Sequence, residues 1–119
     1  MSETALTDAF IYDGIRTPFG RHAGALAPVR PDDLLAHVIR TVVEKNDFPK
    51  EAFEDVIAGN TNQAGEDCRN VARFASLLAG MPVEVGGLTV NRLCASGLAA
   101  TLHAANSVKI REGELFVAG

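Results

Sequence analysis

The chain has 119 residues, 47% of them hydrophobic and 22% charged, which allows one modest core and argues against a second domain. Its formal net charge of -4, with basic residues scattered along the chain, argues against nucleic-acid binding, which needs a clustered Lys/Arg face. No apolar stretch approaches the roughly 20 residues of a membrane span, and the N-terminus MSETALTDAF lacks the features of a signal peptide. We therefore expect a cytoplasmic protein.

The first half of the chain is predicted to form a strand, a long loop and a helix. Residues 9–14 (AFIYDG) are mostly apolar or aromatic and end in Asp-Gly, which is typical of a strand followed by a turn. Residues 15–31 are rich in proline, glycine and basic residues and are predicted to be a loop. A helix is expected from Asp32, with two aspartates at the positive end of its dipole and an end at Asn46 and Pro49. Its apolar stripe is predicted to be Leu35, Val38, Ile39 and Val42.

The second half is predicted to alternate strands and helices. Strands are expected over 54–59, 88–92 and 114–118. A polar loop over 60–68 leads to a helix over 68–79, capped by Asp67 and closed by Gly80 and Pro82. A further helix is expected over 95–112, ended by Gly113. Its buried face is predicted to be Leu98, Leu102, Ala105 and Val108.

The resulting order, β-α-β-α-β-α-β, predicts an α/β fold in which helices cover a mostly parallel sheet. The chain stops at GELFVAG, a strand followed by glycine. A domain seldom stops on a buried strand, so we expect these residues to be the front part of a longer protein.

One cysteine stands at a position that suits catalysis. In VNRLCASGLAA (90–100), Cys94 follows a strand and precedes a helix. The carboxyl end of a strand in an α/β sheet is where ligands usually bind. The N–H groups and dipole of a helix start favour a thiolate and can hold an oxyanion. The small residues after Cys94 allow a substrate to approach, so the pattern favours a nucleophile for acyl transfer, with a small buried hydrophobe as the alternative.

The remaining candidate groups give weaker signals. Cys68 lies by a polar loop without a preceding strand, and we expect it to be a bystander. His103 is nine residues beyond Cys94, about 180° around the same helix, and so points away from it. His22 and His37 are expected to be solvated. The two cysteines do not form a zinc-ligand pattern, and no nucleotide-binding glycine motif occurs.

Four segments, taken together, carry a resemblance to a known family. VNRLCASGLAA resembles the active-site cysteine motif of the thiolases, which are acyl-CoA C-acyltransferases. AFIYDGIRTPFGRHAGAL, EDVIAGNTNQAGEDCRNVARFASLLAGMP and EGELFVAG are similar to other segments of that family, in the same order. The stretch NQAGEDCRNVAR is especially similar to the 3-oxoadipyl-CoA (β-ketoadipyl-CoA) branch, which commonly has Asn where this chain has Cys68.

The resemblance implies that Cys94 attacks the 3-keto carbonyl of a 3-oxoacyl-CoA and becomes acylated. For 3-oxoadipyl-CoA the products would be acetyl-CoA and succinyl-CoA, with coenzyme A as a substrate and no metal or redox cofactor. A general acetyl-CoA acetyltransferase is the neighbouring alternative. A non-catalytic structural or interaction piece is the alternative of another class.

The resemblance also places this chain within a larger architecture. Thiolases consist of two similar halves stacked in five layers, and residues 1–119 would be an incomplete N-terminal domain. The family's activating histidine, second cysteine and most coenzyme A contacts belong to later segments, so no residue here receives those roles. The family forms homo-oligomers, dimers or tetramers, and its loop corresponding to 60–67 lies near the subunit interface. That position implies an interface or site role for Asn62 and Gln63, with a solvated polar loop as the alternative.

Overall fold

The computed structural model describes residues 5–119 and contains three helices and three strands within that range. Two short 3-10 turns, Lys50–Ala52 and Gly65–Asp67, lie in the connections. No helix in the described range is both long and apolar enough to cross a membrane. In chain order the elements are α1 (Pro31–Glu44), β1 (Asp55–Gly59), α2 (Val71–Leu78), β2 (Gly86–Val90), α3 (Ser96–Lys109) and β3 (Phe116–Ala118).

The three strands form one parallel sheet with β1 in the centre, in the order β2-β1-β3. In its register Gly59 lies opposite Val90, and Ile57 lies opposite Ala118. The carboxyl ends of all three strands therefore meet at one edge. The predicted α/β fold class with a parallel, helix-covered sheet is confirmed.

The central strand separates two apolar clusters, because successive side chains of a strand point to opposite faces. Val56 and Ala58 pack with α1 and α2 on one face, where Ile39 is fully buried. Ile57 packs with Ala100 and Ala104 of α3 on the other face. This sandwich fixes α3, and hence the residues just before it, against β1.

The predicted first strand, residues 9–14, is wrong. No strand is formed there, and the side chains of Phe10, Ile11 and Tyr12 are 85%, 86% and 73% exposed. The segment pairs with none of the three strands, so its backbone has no ladder that would define a strand. Side chains hold it instead, because the Asp13 carboxylate accepts hydrogen bonds from Lys45 and Asn46 at the end of α1.

The predicted start of the second helix is also wrong. Cys68 and Arg69 have φ of 49° and 63°, a left-handed conformation that cannot continue into a right-handed helix. The helix begins at Val71 instead, and the N-cap is Asn70, whose side chain accepts a hydrogen bond from the Arg73 N–H. Asp67, the predicted cap, accepts a hydrogen bond from the Asn60 amide instead. The predicted closing glycine is confirmed, since Gly80 has φ of 79° directly after the helix.

The predicted buried face of α3 is wrong as well. Leu98 and Leu102 are 63% and 54% exposed, while Ala105 and Val108 are only partly buried. The helix lies so close to β1 that only small side chains fit between them. The buried residues are Ser96, Ala100, Ala104 and Ser107.

Candidate active site

Cys94 lies beyond the carboxyl edge of the sheet, between the end of β2 at Val90 and the start of α3 at Ser96. Its side chain is exposed and forms no disulfide. The N-cap of α3 is Ala95, so the thiol is carried by the residue directly before the cap. The amide groups of the first helical turn, which have no partner within the helix, therefore follow the cysteine immediately in the chain.

The turn that carries Cys94 is tight and hydrogen-bonded within itself. Leu93 has φ of 48°, the left-handed conformation that non-glycine residues rarely adopt. The Arg92 N–H donates to Ser96 Oγ at 2.8 Å, and Ser96 Oγ donates to the Leu93 carbonyl oxygen at 2.6 Å. The Leu93 N–H donates to Asn91 Oδ1 at 2.9 Å. Two backbone bonds close the same turn, from the Ala95 N–H to the Arg92 carbonyl oxygen and from the Ser96 N–H to the Leu93 carbonyl oxygen, both at 3.1 Å. The residues on both sides of the cysteine are thus fixed by side-chain and backbone bonds together.

The start of α3 also packs directly on the central strand. A Cβ atom placed on Gly59 would lie 2.4 Å from the backbone nitrogen of Gly97. The Gly59 N–H donates to the Gly119 carbonyl oxygen at 2.7 Å, which joins the ends of β1 and β3. The ends of β1 and β3 therefore meet the start of α3, directly after Cys94 in the chain.

The loop after β1 borders the same edge and contains the other predicted site residues. Asn62 is exposed, and its N–H donates to Asn60 Oδ1 at 2.9 Å. Gln63 is partly buried, and its Oε1 atom is enclosed without a hydrogen-bond partner among residues 5–119. Gln63 lines an open surface cleft of about 470 Å³ together with Ala64, Gly65, Cys68 and Arg69. Cys68 belongs to this cleft and to a different loop from Cys94.

An ion-pair cluster joins this loop to the start of α1. Arg30 donates to both carboxylate oxygens of Asp32, at 3.1 and 2.8 Å, and lies 3.8 Å from the Glu66 carboxylate. The side chain of Asp32 is only 1% exposed. The hydrogen bonds from Arg30 lower the pKa of Asp32 below its ordinary value of 3.8, against the opposing effect of burial.

The three histidines are all exposed. Burial raises the pKa of Asp55, at the beginning of β1. The hydrogen bond from the Val56 N–H and the electrostatic effect of His103 partly offset this rise. Asp55 and Gly59 are the opposite ends of β1, about 13 Å apart for an ordinary strand. His103 thus acts at the end of β1 that lies away from Cys94. His22 belongs to the loop before α1, and His37 lies on the exposed side of α1.

Within residues 5–119 no three side chains among His, Cys, Asp and Glu come close enough to bind a metal ion. The accessible thiol of Cys94 lies directly before the start of α3.

Sequence reasoning identified the thiol but missed the residues that shape its surroundings. Asn91, Ser96 and Gly59 were not singled out, although each fixes the cysteine turn or the helix that follows it. The missed signal is the spacing N-x-x-C-x-S over 91–96. Asn and Ser side chains commonly bond to backbone groups two to four residues away, so their positions around Cys94 could have been recognised as turn residues.

Known proteins are similar to this chain over nearly its whole length. The family described as "Thiolase, N-terminal domain" matches residues 9–119. The chain is 54% identical over 115 residues to the 3-oxoadipyl-CoA/3-oxo-5,6-dehydrosuberyl-CoA thiolase of Escherichia coli K12, covering 96% of this chain and 29% of that protein. It is 55% identical over 112 residues to the beta-ketoadipyl-CoA thiolase of Acinetobacter baylyi, covering 93% and 28%.

A solved structure is similar over nearly the whole chain. The crystal structure of the Bacillus anthracis acetyl-CoA acetyltransferase superposes with a TM-score of 0.92 at 33% identity, covering 98% of this chain and 29% of that chain. This chain therefore spans less than a third of the length of the relatives it matches.

Proposed function

Because this chain belongs to the thiolase family, we propose that the protein carrying it cleaves a 3-oxoacyl-CoA by thiolysis, with Cys94 as the nucleophile. The observation that carries this proposal is the exposed thiol at the strand-to-helix junction. This thiol lies within residues 9–119, the part of the chain that matches the family. An accessible sulfur directly before a helix start combines a nucleophile with the positive end of the helix dipole, which stabilises an anion formed in acyl transfer.

The proposed reaction has two half-reactions. The thiolate of Cys94 attacks the 3-keto carbon, the bond between C2 and C3 breaks, and the acetyl-CoA carbanion takes up a proton and leaves. The acyl group remains on the sulfur as a thioester. The thiolate of a second coenzyme A attacks that thioester, so acyl-CoA leaves and the Cys94 thiolate is regenerated. Sulfur and carbon change bonding partners without any net oxidation, so the scheme requires no redox cofactor and no metal.

We propose 3-oxoadipyl-CoA as the substrate, with acetyl-CoA and succinyl-CoA as products. Support comes from the identities of 54% and 55% to relatives named for that substrate, against 33% to the acetyl-CoA acetyltransferase. A general acetyl-CoA acetyltransferase is the competing assignment. The two differ in the terminal carboxylate of the acyl chain, which acetoacetyl-CoA lacks.

We further propose a cytoplasmic homo-oligomer, dimer or tetramer, in which Asn62 and Gln63 lie near the partner subunit. The support is the resemblance to the thiolase family, in which the loop corresponding to residues 60–67 lies near the subunit interface. Acyl-CoA and coenzyme A are the proposed small-molecule partners.

The test is incubation of the protein that carries this chain with 3-oxoadipyl-CoA, in the absence of free coenzyme A, followed by mass spectrometry of its peptides. We expect a succinyl adduct on Cys94, and no adduct in Cys94→Ser. Acetoacetyl-CoA in a parallel sample tests the competing assignment, because a general acetyltransferase would be acylated at least as fast by it. An adduct on Cys68, or one that survives Cys94→Ser, would reject the proposal.

A second candidate is a non-catalytic structural or interaction role for the 119-residue chain when it stands alone. The observation that favours it is the number of large apolar side chains left uncovered, such as Phe19 at 92% exposure and Leu98 at 63%. Thiolysis by the purified 119-residue chain would defeat this candidate, whereas concentration-dependent association without turnover would support it.

A further inference from the structure

We propose that Ser96 is a positioning residue for the Cys94 thiol, and that Asn91 holds the other side of the same turn. We call these two side chains and the turn they enclose the 91–96 clasp. The inference rests on the proposed function of Cys94 for its catalytic consequence, but the clasp itself is read from the contacts of the chain.

Ser96 uses both hydrogen-bonding capacities of its hydroxyl on the cysteine turn. It accepts from the Arg92 N–H at 2.8 Å and donates to the Leu93 carbonyl oxygen at 2.6 Å. The residue is 5% exposed, so water cannot readily replace these bonds. The hydroxyl thus ties together the residues immediately before Cys94 and the first residue of α3.

The backbone conformation of Leu93 shows why these hydrogen bonds are needed. Its φ of 48° is unfavourable for a residue with a side chain, and it persists only where the surroundings hold it. Its side chain is 71% exposed, so apolar packing within the described range does not hold it. The restraint therefore comes from polar bonds to its backbone.

Asn91 supplies the second restraint on Leu93. Its Oδ1 accepts from the Leu93 N–H at 2.9 Å, and its Nδ2 donates to the Thr61 carbonyl oxygen at 3.3 Å. The first bond joins Leu93 to Asn91, the residue directly after β2. The second bond connects the turn to the loop after β1. The Leu93 N–H is engaged by the Asn91 side chain. The Leu93 carbonyl oxygen accepts from the Ser96 hydroxyl at 2.6 Å and also from the Ser96 backbone N–H at 3.1 Å, so Ser96→Ala would remove the shorter of the two bonds.

The catalytic consequence follows from geometry. Cys94 is the next residue after Leu93, so a relaxation of Leu93 toward negative φ would redirect both the thiol and the Cys94 amide. Misplacement of a reacting group by about 1 Å can lower the rate about 100-fold. Loss of the clasp should therefore lower the rate of acyl transfer while leaving substrate affinity largely unchanged, because neither side chain needs to touch the acyl-CoA.

The experiment compares Ser96→Ala with Ser96→Thr in the protein that carries this chain. We expect Ser96→Ala to lower kcat at least 10-fold with KM for the acyl-CoA within about twofold of wild type, and Ser96→Thr to recover most of the loss because it retains the hydroxyl. Peptide-level hydrogen exchange over 90–96 should be faster in Ser96→Ala than in wild type or Ser96→Thr. A Ser96→Ala variant with kcat within twofold of wild type would overturn the proposal.

Asn91 provides a second comparison, because the extra methyl group of Thr at the buried position 96 could itself prevent folding. Asn91→Ser keeps an acceptor for an N–H two residues ahead, and Asn91→Ala does not. The alanine variant should lose kcat and the serine variant should retain most of it; equal losses in folded variants would overturn the proposal. Absence of an acyl adduct in wild type would refute the proposed function instead, and the exchange comparison would still decide whether the clasp exists.

Discussion

Gly59 of the central strand lies so close to Ser96 that a Cβ atom on Gly59 would be 2.3 Å from the Ser96 carbonyl carbon. Real Cβ atoms do not approach backbone atoms this closely, so any side chain at 59 must push α3 away from the sheet. The absence of one side chain on β1 thus determines where the cysteine turn lies.

We expect Gly59→Ala to destabilise the fold by about 3 kcal/mol, the upper part of the range for overpacking, because the obstructing atoms are backbone. The variant should also slow acylation of Cys94, since the displaced helix start carries the turn with it. Urea unfolding followed by circular dichroism measures the first effect. Gly14→Ala is the matched control, because a Cβ there would meet nothing within 4 Å; equal stability of the two variants would contradict this packing argument.

Replacement of the proposed nucleophile should abolish turnover. We expect Cys94→Ser to lower kcat by about 10³-fold or more, because a hydroxyl at neutral pH is a much weaker nucleophile than a thiolate. Cys68→Ser should remain within about twofold of wild type, since Cys68 lies in the cleft formed by the loop after β1. Coenzyme A release assays on both variants make the comparison, and a greater loss in Cys68→Ser would reverse the assignment of the two thiols.

The ion pair at the start of α1 predicts a pH-dependent contribution to stability. Removal of the guanidinium in Arg30→Met leaves the buried Asp32 carboxylate without its main partner, and we expect a loss of stability at pH 7 that exceeds the effect of the control variant named below. The loss should be smaller than for a fully buried ion pair because the Arg30 side chain is 48% exposed. The exposed Arg21 gives the matched control, Arg21→Met, which should change stability by less than about 0.5 kcal/mol.

The sign of this pH dependence follows from the lowered pKa of Asp32. Its folded pKa lies below the ordinary value of 3.8 because of the Arg30 hydrogen bonds, so the contribution is fully present above about pH 4. It is lost as the pH falls through the folded pKa. The difference in unfolding free energy between wild type and Arg30→Met should therefore shrink in urea titrations below pH 4, and a constant difference from pH 7 to pH 3 would argue against the ion pair.

The N-cap of α2 can be tested by one substitution. Asn70 Oδ1 accepts from the Arg73 N–H at 3.2 Å and from the Thr89 hydroxyl at 2.8 Å. Asn70→Ala should lower the free energy of unfolding by about 1–2 kcal/mol, the range for loss of a good cap. Asn70→Asp keeps the acceptor and should lose less. An alanine variant within 0.5 kcal/mol of wild type would show that Asn70 does not stabilise the helix start.

Much of the architecture was predictable because it depends on local patterns. The helix from Asp32, the strand ending at Gly59 and the stop of α2 at Gly80 follow from apolar spacing and from glycine and proline positions near their ends. The position of Cys94 between β2 and α3 was predictable for the same reason. Each of these features depends on residues that are neighbours in the chain.

The features that could not be predicted depend on residues far apart in the sequence. Leu98 and Leu102 are exposed because α3 packs against Gly59 at a distance that admits only small side chains. Residues 9–14 have the composition of a strand, but a strand also needs a neighbour to pair with, and the sheet formed by 55–59, 86–90 and 116–118 does not include them.

The sequence by itself determined the alternation of helices and strands from α1 to β3, the family, and which sulfur stands at a strand-to-helix junction. The tertiary structure decided which side of α3 is buried, which residue caps α2, and how the turn around Cys94 is held. The physical reason is that apolar periodicity and turn preferences depend on a few neighbouring residues. The burial of side chains, the pairing of strands and the hydrogen bonds between loops depend instead on which distant segments come into contact.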